Sequence, residues 1–347
     1  MRLAVPVLLL LLLAACETDE AQDYLNPAGP YARKADSLWN LVFLVAVVIF
    51  FLVEGALVFA LWKFRHKPGR QAAQFHGNMK LEILLTAVPA LILAGIAVPT
   101  INTIFDIAEE PKGGLQVTVI AHRFWWEYDY PDLGVKTANE LVIPTGVPVH
   151  VTLAGAAVDP VDQEPEVIHS WWIPRLAGKQ DIVPGRNTTL NLQADEPGAY
   201  KGQCTEFCGL SHANMRIRAV AMSPDEFDQW IEDQKAPAVE PQDSLAQEGQ
   251  RLFAEGSEGD GFPNGPACAA CHSLDANLED GVSSIGPNLA HFASRETFGG
   301  ATFERTDEEL TRWLENPPEM KPGVKMPALG LTPEEIQALV AYLQSLE

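Results

Sequence analysis

Two short stretches gather most of the side chains able to do metal or redox chemistry. "CTEFCGLSHANM", residues 204–215, places two cysteines, a histidine and a methionine in twelve positions, and "CAACH", residues 268–272, sets two cysteines beside a histidine. The whole chain has only 5 cysteines. Cys204 and Cys208 by themselves allow a disulfide, and with His212 a zinc site. Neither has an evident use for Met215 at a fixed offset. Thiolate, imidazole and thioether together favour copper over hard cations. A site with one copper needs one cysteine, whereas Cys204 and Cys208 can bridge two coppers, with His212 and Met215 as terminal ligands. The remaining ligand should come from another loop, and His169 in "EVIHSWWIP" is the candidate. The second stretch is the signature of c-type haem attachment. Two thiols, Cys268 and Cys271, can add to the haem vinyl groups while His272 binds iron from one face. A redox dithiol or half of a zinc site are the alternatives, and no further cysteine pair remains to complete the latter.

The elements that must hold these residues are unevenly distributed. The 347 residues suffice for two or three compact units, and the formal charge of −22 argues against a nucleic-acid partner. A basic protein partner suits such a charge, since complementary fields steer association. The start, "MRLAVPVLLLLLLAAC", has signal-peptide anatomy and is too short for a comfortable span. Leu13-Ala14-Ala15-Cys16 resembles a bacterial lipoprotein box, which implies a lipid on Cys16. Two apolar runs follow, 38–62 and 81–105, each about 37 Å long as a helix. Between them "KFRHKPGRQAAQFHGNMK" holds five Lys or Arg and no acid, the bias of a cytoplasmic loop. Everything after about residue 106 should therefore lie outside the cytoplasm.

From Leu115 to about Ala221 the pattern is strand-like. "VPVHVTL" alternates Val147, Val149, Val151 and Leu153 onto one face, and Pro and Gly punctuate further short strands, as in a β-sandwich or Greek-key barrel. The loop 204–215 falls between two such strands. "SPDEFDQWIEDQ" reads as a closing helix capped by Ser223 with Glu226 three residues on. "KAPAVEPQDS" is a Pro- and Ala-rich connector, and beyond it the signals are helical. Thr306 with Glu309 and Thr332 with Glu335 form capping boxes, the second ahead of a stripe of Ile336, Leu339, Val340 and Leu343. His66, His76, His122, His150 and His291 have no such partners in sequence and read as surface or satisfied interior histidines.

The constellation around Cys204 resembles the binuclear copper (CuA) domain of cytochrome c oxidase subunit II. The likeness extends through "HSWWIPRLAGKQDIVPGR" and "GAYKGQCTEFCGLSHANM" and, in outline, over residues 38 to about 232. It implies a cupredoxin-like fold, copper ligation by the carbonyl of Glu206, and a magnesium ion held by the Glu206 carboxylate and shared with subunit I. In this family the aromatic strand usually reads Gly-His-Gln-Trp-Tyr-Trp, and its first Trp takes in electrons from soluble cytochrome c. Here "AHRFWWEYDY" puts Phe124 there, followed by Trp125 and Trp126, so Phe124 and Trp125 are the residues to which electron transfer carries over. Residues 244–347 resemble small bacterial cytochromes c. "KPGVKMPALG" matches their distal-methionine loop, which makes Met326 rather than Met320 the second axial ligand, and "IGPNL" matches the segment whose proline carbonyl orients the proximal histidine. "LEILLTAVPALIL" resembles the second helix of subunit II, where the glutamate matching Glu82 stands at the mouth of a proton-uptake path.

The expected architecture is multidomain, with a two-helix transmembrane hairpin, a cupredoxin-like β-sandwich and a small all-α cytochrome c domain. The expected boundaries are a lipoprotein-type signal peptide at 1–15, an N-terminal segment and hairpin at 16–110, the copper domain at 111–232, a linker at 233–243 and the cytochrome domain at 244–347. This order resembles subunit II of caa3-type cytochrome c oxidases. The resemblance implies a bacterial inner membrane protein whose two redox domains are periplasmic. It implies a binuclear copper centre, one covalent haem c, oxidase subunits I and III as partners, and an external donor such as a basic cytochrome c. The electron-uptake subunit of a nitric-oxide reductase, or a membrane-tethered carrier, would use the same parts. A nitrous-oxide reductase would need a large His-rich domain that this sequence lacks.

Overall fold

The computed structural model describes residues 21–66, 69, 76–155, 165–256, 267–275 and 285–347. Cys16 and the residues before it lie outside this set, as do 67, 68 and 70–75 of the basic loop. The chain divides into two units, a helical hairpin over Arg33–Glu109 and a larger body formed by the rest.

The hairpin consists of α1 (Pro30–Lys63) and α2 (Met79–Ala108). Both apolar runs lie inside these helices, which extend beyond them, and both are long and apolar enough to cross a membrane. Proline occupies the first position of α1, where its missing N–H costs nothing. Asn78 caps α2 by accepting from the Leu81 amide at 3.2 Å, and the Asn78 amide donates back to Glu82 Oε1 at 3.2 Å. Large apolar side chains such as Phe51 and Leu52 face outward, as lipid-facing residues do. An ion pair between Lys34 and Asp106, 2.8 Å apart, joins the start of α1 to the end of α2.

The larger body begins with a sandwich of two sheets. Its strands are β1 (Leu115–His122), β2 (Trp125–Tyr130), β3 (Val135–Ala138), β4 (Glu140–Pro144), β5 (Val149–Gly155), β6 (His169–Trp172), β7 (Gln180–Ile182), β8 (Thr188–Leu192), β9 (Gly198–Cys204) and β10 (Arg216–Met222). One sheet runs β3-β2-β1-β5-β8 and the other β4-β10-β9-β6-β7. The alternation in the sequence is realised: Val149, Val151 and Leu153 are wholly buried, and Trp126, Tyr128, Leu141 and Trp171 join them between the sheets. Tyr130 of one sheet clips the other by donating its hydroxyl to the Val142 carbonyl at 2.8 Å and accepting from the Val142 amide at 2.9 Å. The segment just before α1 adheres to this sandwich through Ala28, whose amide donates to Arg175 O at 2.7 Å and whose carbonyl accepts from the Asp195 amide at 3.0 Å. Gly29 is required there, since a Cβ would sit 1.9 Å from the Gln193 carbonyl oxygen.

A capped helix, α3 (Pro224–Lys235), closes the sandwich with the Ser223–Glu226 box expected of it. The helical part then comprises α4 (Ser244–Glu255), α5 (Asp307–Glu315), α6 (Pro317–Met320) and α7 (Pro333–Gln344). Thr332 and Glu335 form the box that opens α7, and Ile336, Leu339, Val340 and Leu343 are buried as the stripe requires. α4 crosses α7 so closely that a Cβ on Gly249 would meet the Ala338 carbonyl oxygen at 2.0 Å. In addition to the helices there is a two-stranded ribbon, β11 (Thr297–Phe298) and β12 (Phe303–Glu304). The connector lies against the helical part: the Ala236 carbonyl is 2.9 Å from His291 Nε2, and Ala238 packs on the helical core.

Candidate functional site

β9 ends on Cys204 and β10 begins at Arg216, so the loop 204–215 hangs between two paired strands. The Cys204 amide donates to the Met215 carbonyl at 2.9 Å, which closes the loop at its base. β6 pairs with β9 by Trp171↔Cys204, and this register brings His169 beside the loop. A single 3₁₀ turn, His212–Asn214, aims His212 back at Cys208. The resulting geometry is compact. The two Sγ atoms are 3.8 Å apart, Cys204 Sγ is 3.8 Å from His169 Nδ1, Cys208 Sγ is 3.6 Å from His212 Nδ1, and Cys208 Sγ is 3.9 Å from Met215 Sδ. The carbonyl oxygen of Glu206 is 3.2 Å from Cys204 Sγ. All of the donors assigned from sequence converge, while the Glu206 carboxylate belongs to an exposed residue.

The sulfurs are free thiols at nearly twice the length of an S–S bond, about 2.05 Å. The hydrogen bond between the two thiols moves the Cys204 pKa down and that of Cys208 up, with burial adding to the rise of Cys208. His169, Cys204 and Cys208, all buried, have donor atoms within 4.8 Å of one another. Soft thiolates, imidazoles and a thioether in this arrangement fit a copper pair.

In the helical part, Cys268–Ala270 forms a 3₁₀ turn and the His272 amide donates to the Cys268 carbonyl at 2.9 Å. His272 Nδ1 lies 2.8 Å from the Pro287 carbonyl, as the "IGPNL" segment suggested, leaving Nε2 for a metal. Burial lowers the His272 pKa, against the effect of that carbonyl. Gly286 lets the ring approach: a Cβ there would be 2.6 Å from His272 Cε1. His272, Cys268, Cys271 and Met326 all line one cavity of about 390 Å³, whereas Met320 does not. Arg295 lines it too, buried, with Nε lacking a hydrogen-bond partner among the described residues. A haem, with an apolar macrocycle and two carboxylates, fits a cavity so built.

The far wall of this cavity comes from the sandwich. His122, Phe124 and Trp125 line it together with the haem-attachment residues. Phe124, in the two-residue turn between β1 and β2, is 4% exposed, so it offers no surface to a soluble donor. Its ring reaches within 3.0 Å of where a Cβ on Gly209 would stand, which places it against the copper loop as well. Trp125 stacks on His122 with ring centroids 4.2 Å apart, and Trp126 is core. His150 and His291 are interior histidines with partners, Asn191 Oδ1 and two backbone carbonyls respectively. His122 lines the cavity, and nothing in the sequence pointed to that beyond its place two residues before Phe124. Glu82 stands in the first turn of α2.

Three family descriptions match successive parts of the chain. "Cytochrome C oxidase subunit II, transmembrane domain" matches residues 19–103, "Cytochrome C oxidase subunit II, periplasmic domain" matches 115–222, and "Cytochrome c" matches 246–347. Cytochrome c oxidase subunit 2 of Alkalihalophilus pseudofirmus is 35% identical over 98% of this chain and 95% of its own length. The chain belongs to the cytochrome c oxidase subunit II family. The corresponding subunit of a Bacillus species (strain PS3) is 32% identical over 97% of this chain and 94% of its own. The crystal structure of the periplasmic domain of subunit II from Bradyrhizobium japonicum covers 36% of this chain and 96% of its own at 30% identity, with a TM-score of 0.32. Membership makes the chain a membrane-anchored subunit of an oxidoreductase complex that assembles with other oxidase subunits. It also implies CuA copper in the sandwich and haem c in the helical part, which the donor sets fit.

Proposed function

We propose that this chain carries electrons from an external donor, by way of haem c and a binuclear copper centre, to the haem-copper site of subunit I, where oxygen is reduced to water with proton translocation. The observation that supports it most is the shared position of Phe124, which borders both the haem cavity and the copper loop. When bound, the two groups supply one-electron redox chemistry. The chain supplies everything else. His169, Cys204, Cys208, His212, Met215 and the Glu206 carbonyl hold two copper ions, and the exposed Glu206 carboxylate reaches a magnesium ion shared with subunit I. Cys268 and Cys271 tether the haem, and His272 and Met326 bind its iron. Phe124 fills the space between the sites, and Trp125 lines the haem cavity beside it, as the residues through which electrons would pass. Cys16 carries lipid, Glu82 admits protons, and the two redox domains face the periplasm from a bacterial inner membrane, with subunits I and III as neighbours. The domain boundaries are those at 15, 110, 232 and 243.

Relatives named cytochrome c oxidase subunit 2 favour this reading over a nitric-oxide reductase subunit or a free-standing carrier. Residues 244–347 hold 6 basic and 17 acidic side chains, which suits a basic cytochrome c as donor. The deciding experiment is metal and haem analysis of the purified complex together with its visible and near-infrared spectra. A copper pair and a single covalent haem per chain, co-purifying with a large oxidase subunit, are expected. Zinc in place of copper, or a chain isolated without a catalytic partner, would overturn the proposal.

A further inference from the structure

Lys321 precedes the Pro322–Gly323 turn of the helical part, in a stretch whose composition reads as exposed loop. It is 1% exposed. Its Nζ donates to the Phe124 carbonyl at 2.6 Å and to the Gly299 carbonyl at 2.5 Å, so one amino group ties the sandwich to the helical part. Burial pulls its pKa down to about 7, a cost that an apolar side chain of similar volume would avoid. What the amino group adds is direction. Phe124 sits in a turn beyond the last β1–β2 pair, His122↔Trp125, where no ladder bond fixes its carbonyl.

The surroundings are shaped for this contact. Gly300 has φ +73°, and a Cβ on it would stand 2.6 Å from Lys321 Nζ and 2.7 Å from Phe124 O. The same Gly-Gly turn grips the exit of the copper loop: the Gly300 carbonyl accepts from the Arg216 amide at 2.9 Å, and Thr302 Oγ1 donates to the Asn214 carbonyl at 2.7 Å. Ser211, next to His212, donates to the Pro322 carbonyl at 2.6 Å. Lys321 is thus the buried centre of a set of bonds whose other members bracket His212 and Met215.

We propose that Lys321 is a positioning residue that fixes Phe124 between the haem cavity and the copper loop. The proposal rests on the electron-relay reading for its consequence, but the docking it describes can be measured separately. In the intact oxidase complex with both cofactors present, two quantities decide it: the rate of haem-to-copper electron transfer after a reductant pulse, and amide hydrogen exchange over residues 122–126 and 299–302. Lys321→Met should slow transfer by about tenfold, the scale of a sub-ångström misplacement. It should raise exchange in both segments by about tenfold as the Nζ hydrogen bonds are lost. The visible and near-infrared spectra should keep their form, and Lys321→Arg should restore most of the rate. Should Lys321→Met fail to assemble, Gly300→Ala separates the same atoms without removing the amino group and should give the same two changes. Wild-type transfer and exchange in Lys321→Met or, where that variant fails, in Gly300→Ala would overturn the proposal, as would a loss in Lys321→Met that Lys321→Arg does not relieve. Absence of transfer in the wild-type complex would instead sink the relay reading, and exchange would still decide the role of Lys321.

Discussion

The copper and haem sites are built on opposite plans. At the candidate copper site six residues bring possible donors together, five of them within the twelve positions of the 204–215 loop, and strand pairing brings the sixth, His169, alongside. The cavity proposed for haem is lined by Cys268, Cys271 and His272 from one turn, by Met326 from the loop before α7, and along part of its wall by the sandwich. The ligands of the first are fixed within the sandwich, with the helical part gripping only the ends of their loop, while the second is shaped by packing across the domains. Loss of a ligand at the first should therefore stay local, while the second should respond more to changes at a distance.

The sharpest test of that contrast is Cys208→Ser. It removes the sulfur that touches Cys204, His212 and Met215 together, so the two-copper signal should vanish and turnover should fall by about a hundredfold or more. Haem c should stay attached with its spectrum unchanged. Two coppers per chain with a normal near-infrared spectrum would contradict the site. A smaller loss is expected at the haem. Met326→Ala should abolish the methionine–iron absorption band and lower the potential while copper is retained, and Met320→Ala, outside the cavity, should do neither. Loss of the band in Met320→Ala would reverse the choice of ligand.

Glu140 tests whether packing between domains matters. It is a sandwich residue, 5% exposed, and its Oε1 accepts from the Thr297 amide at 2.8 Å, the Thr297 hydroxyl at 2.6 Å and the Glu296 amide at 3.2 Å. Arg218 pairs with both Glu140 and Glu296. Glu140→Ala strands these donors and should cost about 2 kcal/mol, read as a lower melting temperature of the helical part. The haem environment should change with it and the copper spectrum should not. Equal effects on both spectra would erase the distinction between the two sites.

What could be read from the sequence follows the same division. Helix caps at Ser223 and Thr332, the apolar stripe of α7 and the ligand-rich loop are encoded within a few residues, and each was legible. Even Pro287 was, because its segment has a recognisable form. Lys321, Glu140 and His122 were not. Their roles depend on how two domains meet, and a lysine beside Pro-Gly looks like solvated loop until Phe124 and Gly299 close around it. Phe124 shows the boundary. Its type and position announced a departure from the family, but only packing shows that the helical part buries it.

Glu82 is where local structure and function compete most closely, and the smallest effect is expected there. Its carboxylate accepts from the Asn78 amide in the first turn of α2, so helix capping alone accounts for an acid at this position. The proton-uptake reading asks for something capping does not, an ionisable group. Glu82→Gln separates the two, since the amide oxygen still accepts the Asn78 hydrogen bond but the side chain no longer binds and releases a proton. If Glu82 feeds protons to subunit I, Glu82→Gln should slow steady-state oxygen reduction a few-fold, with copper and haem c spectra intact, and Glu82→Ala should do the same. If it only caps the helix, Glu82→Gln should match the wild type over roughly pH 6 to 9, where uptake would limit the rate, and Glu82→Ala should lose thermal stability alone.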